Sequence, residues 1–151
     1  MPVFTAEQLQ RLGEHLLQAA GTPADIATQV ARSLVDSNLK GVDSHGVIRL
    51  PAYLGAIAAG DIKPDARPTL DTDDGAMAVV RGHGGYGIFA MAFATAEAVR
   101  RAKAHHLAAV GVIDVTHTGR IGQFAEQAVA HDLFRKAGAA VGVDATAVVT
   151  A

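Results

Sequence analysis

Residues 44–53 carry three side chains whose types and spacing suit the binding of a small acid. The segment reads SHGVIRLPAY, in which His45, Arg49 and Tyr53 follow one another at intervals of four residues. On a helix this spacing places all three side chains on one side. A guanidinium can bind a carboxylate through two hydrogen bonds, and a histidine can exchange a proton near neutral pH. The alternative is an exposed helix on which His45 and Arg49 simply face solvent.

His117 lies in a second segment, THTG, that suits acid–base chemistry. The pattern around it predicts a buried strand that ends near Val115 and a helix that begins near Gly119. Ligands of open α/β sheets gather at the carboxyl ends of strands, which is where a general acid or base is expected. Thr116 or Thr118 would orient His117 or cap the helix. The alternative is a loop histidine that has no more than a capping role.

Other polar or glycine-rich segments predict structure rather than chemistry. The glycine turn over 83–87 precedes a helix but lacks the spacing of a dinucleotide-binding fingerprint, so we expect a tight turn rather than a phosphate site. His105 and His106 end a helix, where the dipole favours cations. We do not expect a metal site there, because the sequence offers no suitably spaced His, Asp or Glu partner. The residues expected on the solvated face of that helix are Arg100, Arg101 and Lys103.

Two helices are predicted in the first forty residues. Thr5 and Gln8 have the spacing of a capping box, in which each side chain satisfies a free backbone donor of the other residue. Apolar residues then recur at helical spacing until Gly21, which supplies a stop. A second helix is expected to open with Thr22 as its cap and Pro23 at its first position.

A third helix is predicted between Asp43 or Ser44, either of which can cap it, and Gly60, which ends it. Its apolar face would consist of Val47, Leu50, Leu54, Ile57 and Ala58. Pro51 fits only near the start of a helix, so residues 44–47 either begin this helix or precede a break.

After a proline-containing linker over 61–68, the pattern predicts the order strand, helix, strand, helix. The expected elements are a strand over 77–80, a helix over 88–105, a strand over 107–115, a helix over 121–129 and one or two buried strands over 135–151. The strand over 107–115 is so continuously apolar that we expect both of its faces to be covered. The predicted fold class is α/β: a three-helix subdomain over 1–64, followed by a partial α/β layer over 65–151.

Composition narrows the class of protein. Half of the 151 residues are apolar and the net charge is −2, which is typical of a globular domain rather than of a surface for nucleic acid or anionic lipid. Without cysteine the chain has no disulfide or thiolate chemistry. It begins without the pattern of a secretory signal and holds no stretch suited to a membrane span, so we expect a cytoplasmic protein.

Several motifs together resemble the malate/L-lactate dehydrogenase family, whose members lack a Rossmann fold. They are DSHGVIRLPAYL, the GDIKP segment that follows it, the GHGGYG turn and VTHTGRIGQFAEQA. The order and spacing of these motifs are similar to those of the family over approximately Phe4 to Leu133. Beyond about residue 134 the sequence departs from the family pattern, and we expect the cofactor-binding half to be largely missing.

The resemblance implies hydride transfer between NAD or NADP and a small 2-hydroxy or 2-keto acid. It implies that His117 accepts the hydroxyl proton during oxidation and donates it in the reverse direction. Arg49 would bind the substrate carboxylate, and Ser44 and His45 would line the same pocket. Tyr53 would form a wall of the pocket.

The family also implies where the cofactor would bind and how the subunits associate. The expected cofactor-binding residues are His45, Thr118 and Gly119. A usual subunit is about twice this length and forms a homodimer. The alternative hypothesis is a catalytically inactive remnant that associates with itself or with a full-length relative. We expect little or no turnover from this chain, and a cofactor-free hydrolase ranks last because no serine lies in a strand-to-helix elbow.

Overall fold

The computed structural model describes residues 3–130, 141–142 and 146–150 of the chain. The helices in these residues are α1 (Ala6–Ala19), α2 (Ala24–Leu39), α3 (Leu50–Ala59), α4 (Gly87–His105) and α5 (Gly122–Val129). The strands are β1 (Thr69–Asp74), β2 (Met77–Gly85), β3 (Leu107–Val115), β4 (Val141–Gly142) and β5 (Thr146–Thr150). Two single turns of 3-10 helix, Asp43–His45 and Val47–Arg49, connect α2 to α3.

The strands form one mixed sheet in the order β1-β2-β3-β5-β4. β2 and β3 are parallel and are connected through α4, whereas the other neighbouring pairs are antiparallel. The carboxyl ends of β2 and β3 therefore lie at the same edge of the sheet, where Gly85 pairs with Val115. Three helices followed by an α/β layer confirm the predicted fold class, and β4 and β5 confirm that the last stretch contains strands. The burial predicted for that stretch lies outside the described residues.

A first hydrophobic core joins the helical part of the chain to the start of α4. The buried residues of this core are Leu17, Ile26, Ala27, Val30, Leu34, Leu50, Tyr53, Ile62, Tyr86 and Ile88. Because Tyr86 and Ile88 come from the sheet side of the chain, this core fixes the helices against the edge where β2 ends. The division of the chain at residues 64 and 65 stays a prediction.

A second core lies between α4, α5 and one face of the sheet. Alternate residues of β3 such as Val110 and Val112 are buried beneath α4, as the two-residue period of a strand requires. On the opposite face, Met77, Leu107 and Ile113 are exposed. The strand over 107–115 was expected to be covered on both faces. That expectation is wrong for the part of the chain that the structure describes.

The helix ends largely follow the predicted signals. Thr5 and Gln8 form the capping box of α1, and Gly60 adopts a φ of 82° just after α3. Thr22 was expected to cap α2, but that cap position is held by Pro23 and has no side-chain hydrogen bond. The Thr22 hydroxyl instead lies 2.8 Å from the buried hydroxyl of Tyr86. A side-chain contact to a distant residue has here replaced the local cap.

Sequence analysis overlooked β1 and shortened β2. β2 continues to Gly85 through the segment expected to be a tight turn, with an irregular register between Arg81 and Gly85. Apart from Leu70, β1 is polar, and its six residues are all exposed, so the alternating pattern that marks a half-buried strand is absent from it. Asp74-Gly75 at the β1–β2 turn is the one local signal of a hairpin here.

Arg101 was expected on the solvated face of α4, but it is buried in the structure. It is 2% exposed, and its guanidinium donates to Asp73 Oδ1 and to the backbone oxygen of Gly75 at 2.5 and 2.6 Å. These bonds attach the β1–β2 hairpin to the carboxyl end of α4. A buried charge is acceptable only with such partners, and the β1–β2 hairpin supplies them.

Candidate active site

The segment that carries His45, Arg49 and Tyr53 is broken rather than continuous. Gly46 separates the two 3-10 turns with an extended backbone, at φ −88° and ψ −159°. α3 begins only at Leu50, and Pro51 lies in its first turn, where its missing N–H costs nothing. The three side chains therefore do not share one helix face. Of the two options that Pro51 left open, the break after residues 44–47 is confirmed, and a single helix from residue 44 is not.

Asn38, at the end of α2, fixes the geometry of the break. Its Oδ1 accepts a hydrogen bond from the Val47 N–H at 2.8 Å, and its Nδ2 donates to Asp43 Oδ1 at 2.5 Å. A Cβ added at Gly46 would lie 2.2 Å from Asn38 Oδ1, so a larger residue there would displace the Asn38 amide from these two bonds. Asn38 was missed in the sequence analysis because its partners, five and nine residues away, lie in two 3-10 turns that no helical or strand period predicts.

Arg49 is oriented by the turn that precedes it. Its Nε donates to the backbone oxygen of Ser44 at 2.6 Å, and the Ser44 hydroxyl lies 3.0 Å from Nδ1 of His45. The two terminal guanidinium nitrogens have no hydrogen-bond partner among the described residues. Because Nε is held in place, those two nitrogens can bind both oxygens of a carboxylate.

The loop that carries His117 is fixed where β2 and β3 end. Thr116 donates to the backbone oxygen of Gly85 through both its N–H and its hydroxyl, at 3.1 and 3.0 Å. A Cβ at Gly87 would lie 2.3 Å from the Thr116 backbone oxygen, so α4 begins in very close contact with this loop. Either Thr116 or Thr118 was expected to orient His117 or to cap the next helix. The Thr116 hydroxyl does neither, because it donates to Gly85. α5 begins at Gly122 without a side-chain cap.

Thr118 and Gly119 continue this loop. Gly119 is buried at φ 77°, and an added Cβ would lie 2.9 Å from Ile88, so the backbone and the packing both require glycine. Arg120 then donates to Asp36 on α2 at 2.9 Å and to Glu126 on α5 at 3.0 Å. These ion pairs hold the far end of the loop against the helical part of the chain.

His117 meets the first segment in three dimensions. Its Nδ1 lies 2.7 Å from the hydroxyl of Tyr53, and its ring centroid lies 5.2 Å from that of His45. Tyr53 is 4% exposed and packs edge-on against Tyr86, with ring centroids 5.8 Å apart. The structure thus brings together side chains that are 64 residues apart in the sequence. The predicted role of Tyr53 as a pocket wall stays a prediction.

The electrostatic environment of His117 favours its neutral form. Burial lowers the pKa of His117 below its ordinary value of 6.5, and the nearby charges of Arg49 and His45 lower it further. Burial also raises the pKa of Tyr53, so the phenol stays protonated at neutral pH. Nε2 of His117 is buried and has no hydrogen-bond partner within the described part of the chain. A buried polar atom without a partner is typical of a site that binds a ligand or water.

Other parts of the surface do not reproduce this chemistry. A cleft of about 690 Å³ lies between α2 and α5, but none of the predicted site residues lines it. Some of its charged groups bind one another, as Lys40 and Asp36 do with a nitrogen–oxygen distance of 3.3 Å.

Within residues 3–130 and the described strand residues beyond them, no cluster of His, Asp and Glu could hold a metal ion. No described helix is both long and apolar enough to cross a membrane.

Comparison with known proteins assigns the family. A sequence profile described as malate/L-lactate dehydrogenase matches residues 4–149, which include both segments of the site. The chain belongs to the malate/L-lactate dehydrogenase family. This confirms the resemblance seen in the motifs, and the match extends beyond Leu133, where we expected it to end.

Curated relatives in the malate/L-lactate dehydrogenase family have similar sequences over most of this chain. It is 34% identical over 121 residues to an L-lactate dehydrogenase from Cupriavidus necator, a match that covers 80% of this chain and 35% of the relative. It is 31% identical over 127 residues to hydroxycarboxylate dehydrogenase B from Escherichia coli K12, covering 84% and 35%. The chain thus spans about a third of the length of these relatives.

A solved structure from the malate/L-lactate dehydrogenase family has the same fold. The sulfolactate dehydrogenase from Methanocaldococcus jannaschii superposes with a TM-score of 0.84 at 30% identity, over 87% of this chain and 38% of that protein. The predicted α/β class and the partial nature of the fold relative to the family are consistent with this match.

Proposed function

We propose that the site formed by His117, Arg49, Ser44 and His45 acts in hydride transfer between NAD or NADP and a small 2-hydroxy or 2-keto acid. The observation that carries the proposal is the position of His117. Its ring lies beside His45 and within the electrostatic reach of Arg49, and its Nε2 is buried without a partner among the described residues. This arrangement supports a site in which His117 exchanges a proton and Arg49 binds a carboxylate.

Arg49 supplies the charge that binds the substrate. Its Nε is already bonded to Ser44, which leaves its terminal nitrogens for the carboxylate of a hydroxy or keto acid. A planar pair of hydrogen bonds fixes the orientation of the acid as well as its position, and the carbon next to the carboxylate then has a defined place in the site. Ser44, which is exposed, can contact the same acid through its hydroxyl.

His117 would exchange the proton. In oxidation, neutral His117 accepts the hydroxyl proton as the bond from carbon to hydrogen breaks, and in reduction the imidazolium returns a proton to the carbonyl oxygen. The lowered pKa of His117 suits its role as a base at neutral pH. Binding of an anionic acid to Arg49 offsets the positive charge that opposes protonation, so the acid form becomes accessible when substrate is bound.

The nicotinamide end of the cofactor has a chemically suitable neighbourhood in these residues. The half-buried ring of His45 is a polar and aromatic group that an amide-bearing ring can contact, and Thr118 adds a hydroxyl. When bound, the nicotinamide supplies the hydride acceptor or donor, while the residues of this chain bind the acid and exchange the proton.

The test is a turnover assay with a panel of small 2-hydroxy and 2-keto acids, each with NAD and with NADP. The absorbance of the reduced nicotinamide reports the reaction in both directions. If this chain turns over substrate, we expect His117→Ala to reduce kcat by at least about 100-fold, the range of general acid–base catalysis. Arg49→Leu should chiefly raise KM. Turnover that survives both substitutions would contradict the proposal.

A second candidate is a non-catalytic chain that associates with a second copy of itself. The observation that favours it is the exposed apolar face of the sheet at Met77, Leu107 and Ile113. Light scattering after size exclusion, combined with the turnover assay, distinguishes the two candidate functions. A stable monomer over a wide range of concentrations would contradict association, whereas association without any binding of acid or cofactor would support it.

A further inference from the structure

We propose that Tyr53 is a positioning residue whose hydroxyl binds Nδ1 of His117 and thereby makes Nε2 the nitrogen that exchanges a proton with substrate. The proposal rests on the function proposed above, because it assumes that His117 is the group that exchanges the proton. It differs from the predicted role of Tyr53 as a wall of the substrate pocket.

The position of the Tyr53 hydroxyl is fixed by packing. Tyr53 lies in the first part of α3, is 4% exposed, and belongs to the core that includes Leu50 and Ile88. Its ring packs against Tyr86 at an interplanar angle of 62°, the edge-on arrangement that aromatic pairs favour. A side chain held on all sides in this way cannot follow the imidazole if that ring turns. The hydroxyl, at 2.7 Å from Nδ1, therefore sets the orientation of His117.

A phenol suits both protonation states of the imidazole. The hydroxyl can accept a hydrogen bond from a protonated Nδ1 or donate one to an unprotonated Nδ1, so the contact survives when His117 gains or loses a proton. Because burial keeps Tyr53 neutral, it does not stabilise the imidazolium as a carboxylate would. Tyr53 thus fixes the ring without holding the proton that His117 has to release.

The two ring nitrogens consequently have different environments. Nδ1 has a partner in Tyr53, whereas Nε2 is buried and has none in the described part of the chain. A ligand hydroxyl or carbonyl would satisfy Nε2 at once. This is the same logic by which a hydrogen bond to one nitrogen of a histidine determines what the other nitrogen does.

The experiment is nitrogen-15 NMR of the imidazole of His117 in three forms of the full chain: wild type, Tyr53→Phe and Tyr86→Phe. Phenylalanine keeps the ring and the packing in both variants. Tyr86 is the matched control because its buried hydroxyl bonds to Thr22, 2.8 Å away, rather than to His117. Each variant therefore loses one buried hydroxyl from the same aromatic pair, but only Tyr53→Phe loses the bond to Nδ1.

We expect the Nδ1 shift, and with it the balance of the two neutral tautomers, to change in Tyr53→Phe and to keep its wild-type value in Tyr86→Phe. Oxamate, a stable analogue of a 2-keto acid, should then move the Nε2 shift more than the Nδ1 shift in the wild type. An unchanged Nδ1 shift in Tyr53→Phe would overturn the proposal. If oxamate does not bind at all, the proposed function fails, whereas the comparison of the two variants still decides the role of Tyr53.

Discussion

His117 is a histidine beside positive charge that has no compensating carboxylate among the described residues. Arg49 and His45 both act on it, and its one hydrogen-bond partner in those residues is a neutral phenol. A histidine in a catalytic site usually requires an acidic partner to become a strong base. The described residues supply no such partner, so burial and the charges of Arg49 and His45 set the direction in which the pKa of His117 moves.

The positive charge of Arg49 should have a measurable effect on the pKa of His117. We expect the NMR titration midpoint of His117 to lie below 6.5 and to move upward in Arg49→Leu, because one of the charges that oppose protonation is removed. Arg32→Leu removes an exposed arginine that does not act on His117 and serves as the control. A midpoint that is the same in Arg49→Leu and in the wild type would contradict this interpretation.

The lowered pKa of His117 also makes the stability of the fold depend on pH. The unfolded chain binds the His117 proton more readily than the folded chain, since the folded pKa lies below 6.5. The contribution of His117 to stability is therefore full above 6.5 and is lost as the pH falls from 6.5 through the lowered pKa. In that window Arg49→Leu should flatten the dependence of the unfolding free energy on pH.

At the scale of elements, the site depends on how closely α4 approaches the loop after β3. Gly87→Ala places a Cβ 2.3 Å from the Thr116 backbone oxygen, and a clash with backbone has no flexible side chain to absorb it. We expect a loss of about 2–3 kcal/mol in the free energy of unfolding, the cost typical of overpacking, together with altered resonances of His117.

Gly55→Ala is the matched control for this prediction. Gly55 lies in the middle of α3 and has no atom within 4 Å of an added Cβ. Alanine there should stabilise the chain by about 0.5–1 kcal/mol, because alanine loses less backbone entropy than glycine when the helix forms. Denaturant unfolding measures both variants. Equal effects of the two substitutions would show that the close contact at Gly87 is unimportant.

The β1–β2 hairpin is attached to α4 through the buried guanidinium of Arg101. Removing its partner with Asp73→Ala leaves a buried charge with fewer bonds, so we expect a clear decrease in the midpoint of thermal unfolding. Asp71→Ala, on the same strand, removes an ion pair to the more exposed Arg81 and should have a smaller effect. The reverse order would show that the Arg101 contact contributes little.

At the scale of the whole molecule, the sequence predicted the features that depend on local chemistry. The capping box at Thr5, the stop at Gly60 and the apolar strand that leads to His117 all depend on neighbours within a few residues. The same holds for the two motif segments, whose residue types indicated acid binding and proton exchange. Their meeting at one site was predicted only through the resemblance to the family.

The features that sequence analysis missed depend on contacts between distant residues. The strand β1 is polar and exposed, so no hydrophobic period marks it. Arg101 is buried only because β1 brings Asp73 to it. The hydrogen bond of Asn38 to Val47 depends on the break at Gly46, and that of Tyr53 depends on a histidine 64 residues away. No local pattern carries such information, because the contact exists only after the chain has folded.

Arg49 and His117 are proposed to form one site for a small carboxylated acid. An oxamate titration followed by NMR tests this proposal most directly. We predict that the NMR signals of Ser44, Arg49 and His117 shift together along one saturable curve. Arg49→Leu should weaken the affinity for oxamate by about 10- to 100-fold, the effect expected from the loss of a charge-assisted pair of hydrogen bonds. Shifts that cluster elsewhere on the molecule, or an affinity that Arg49→Leu leaves unchanged, would contradict the account.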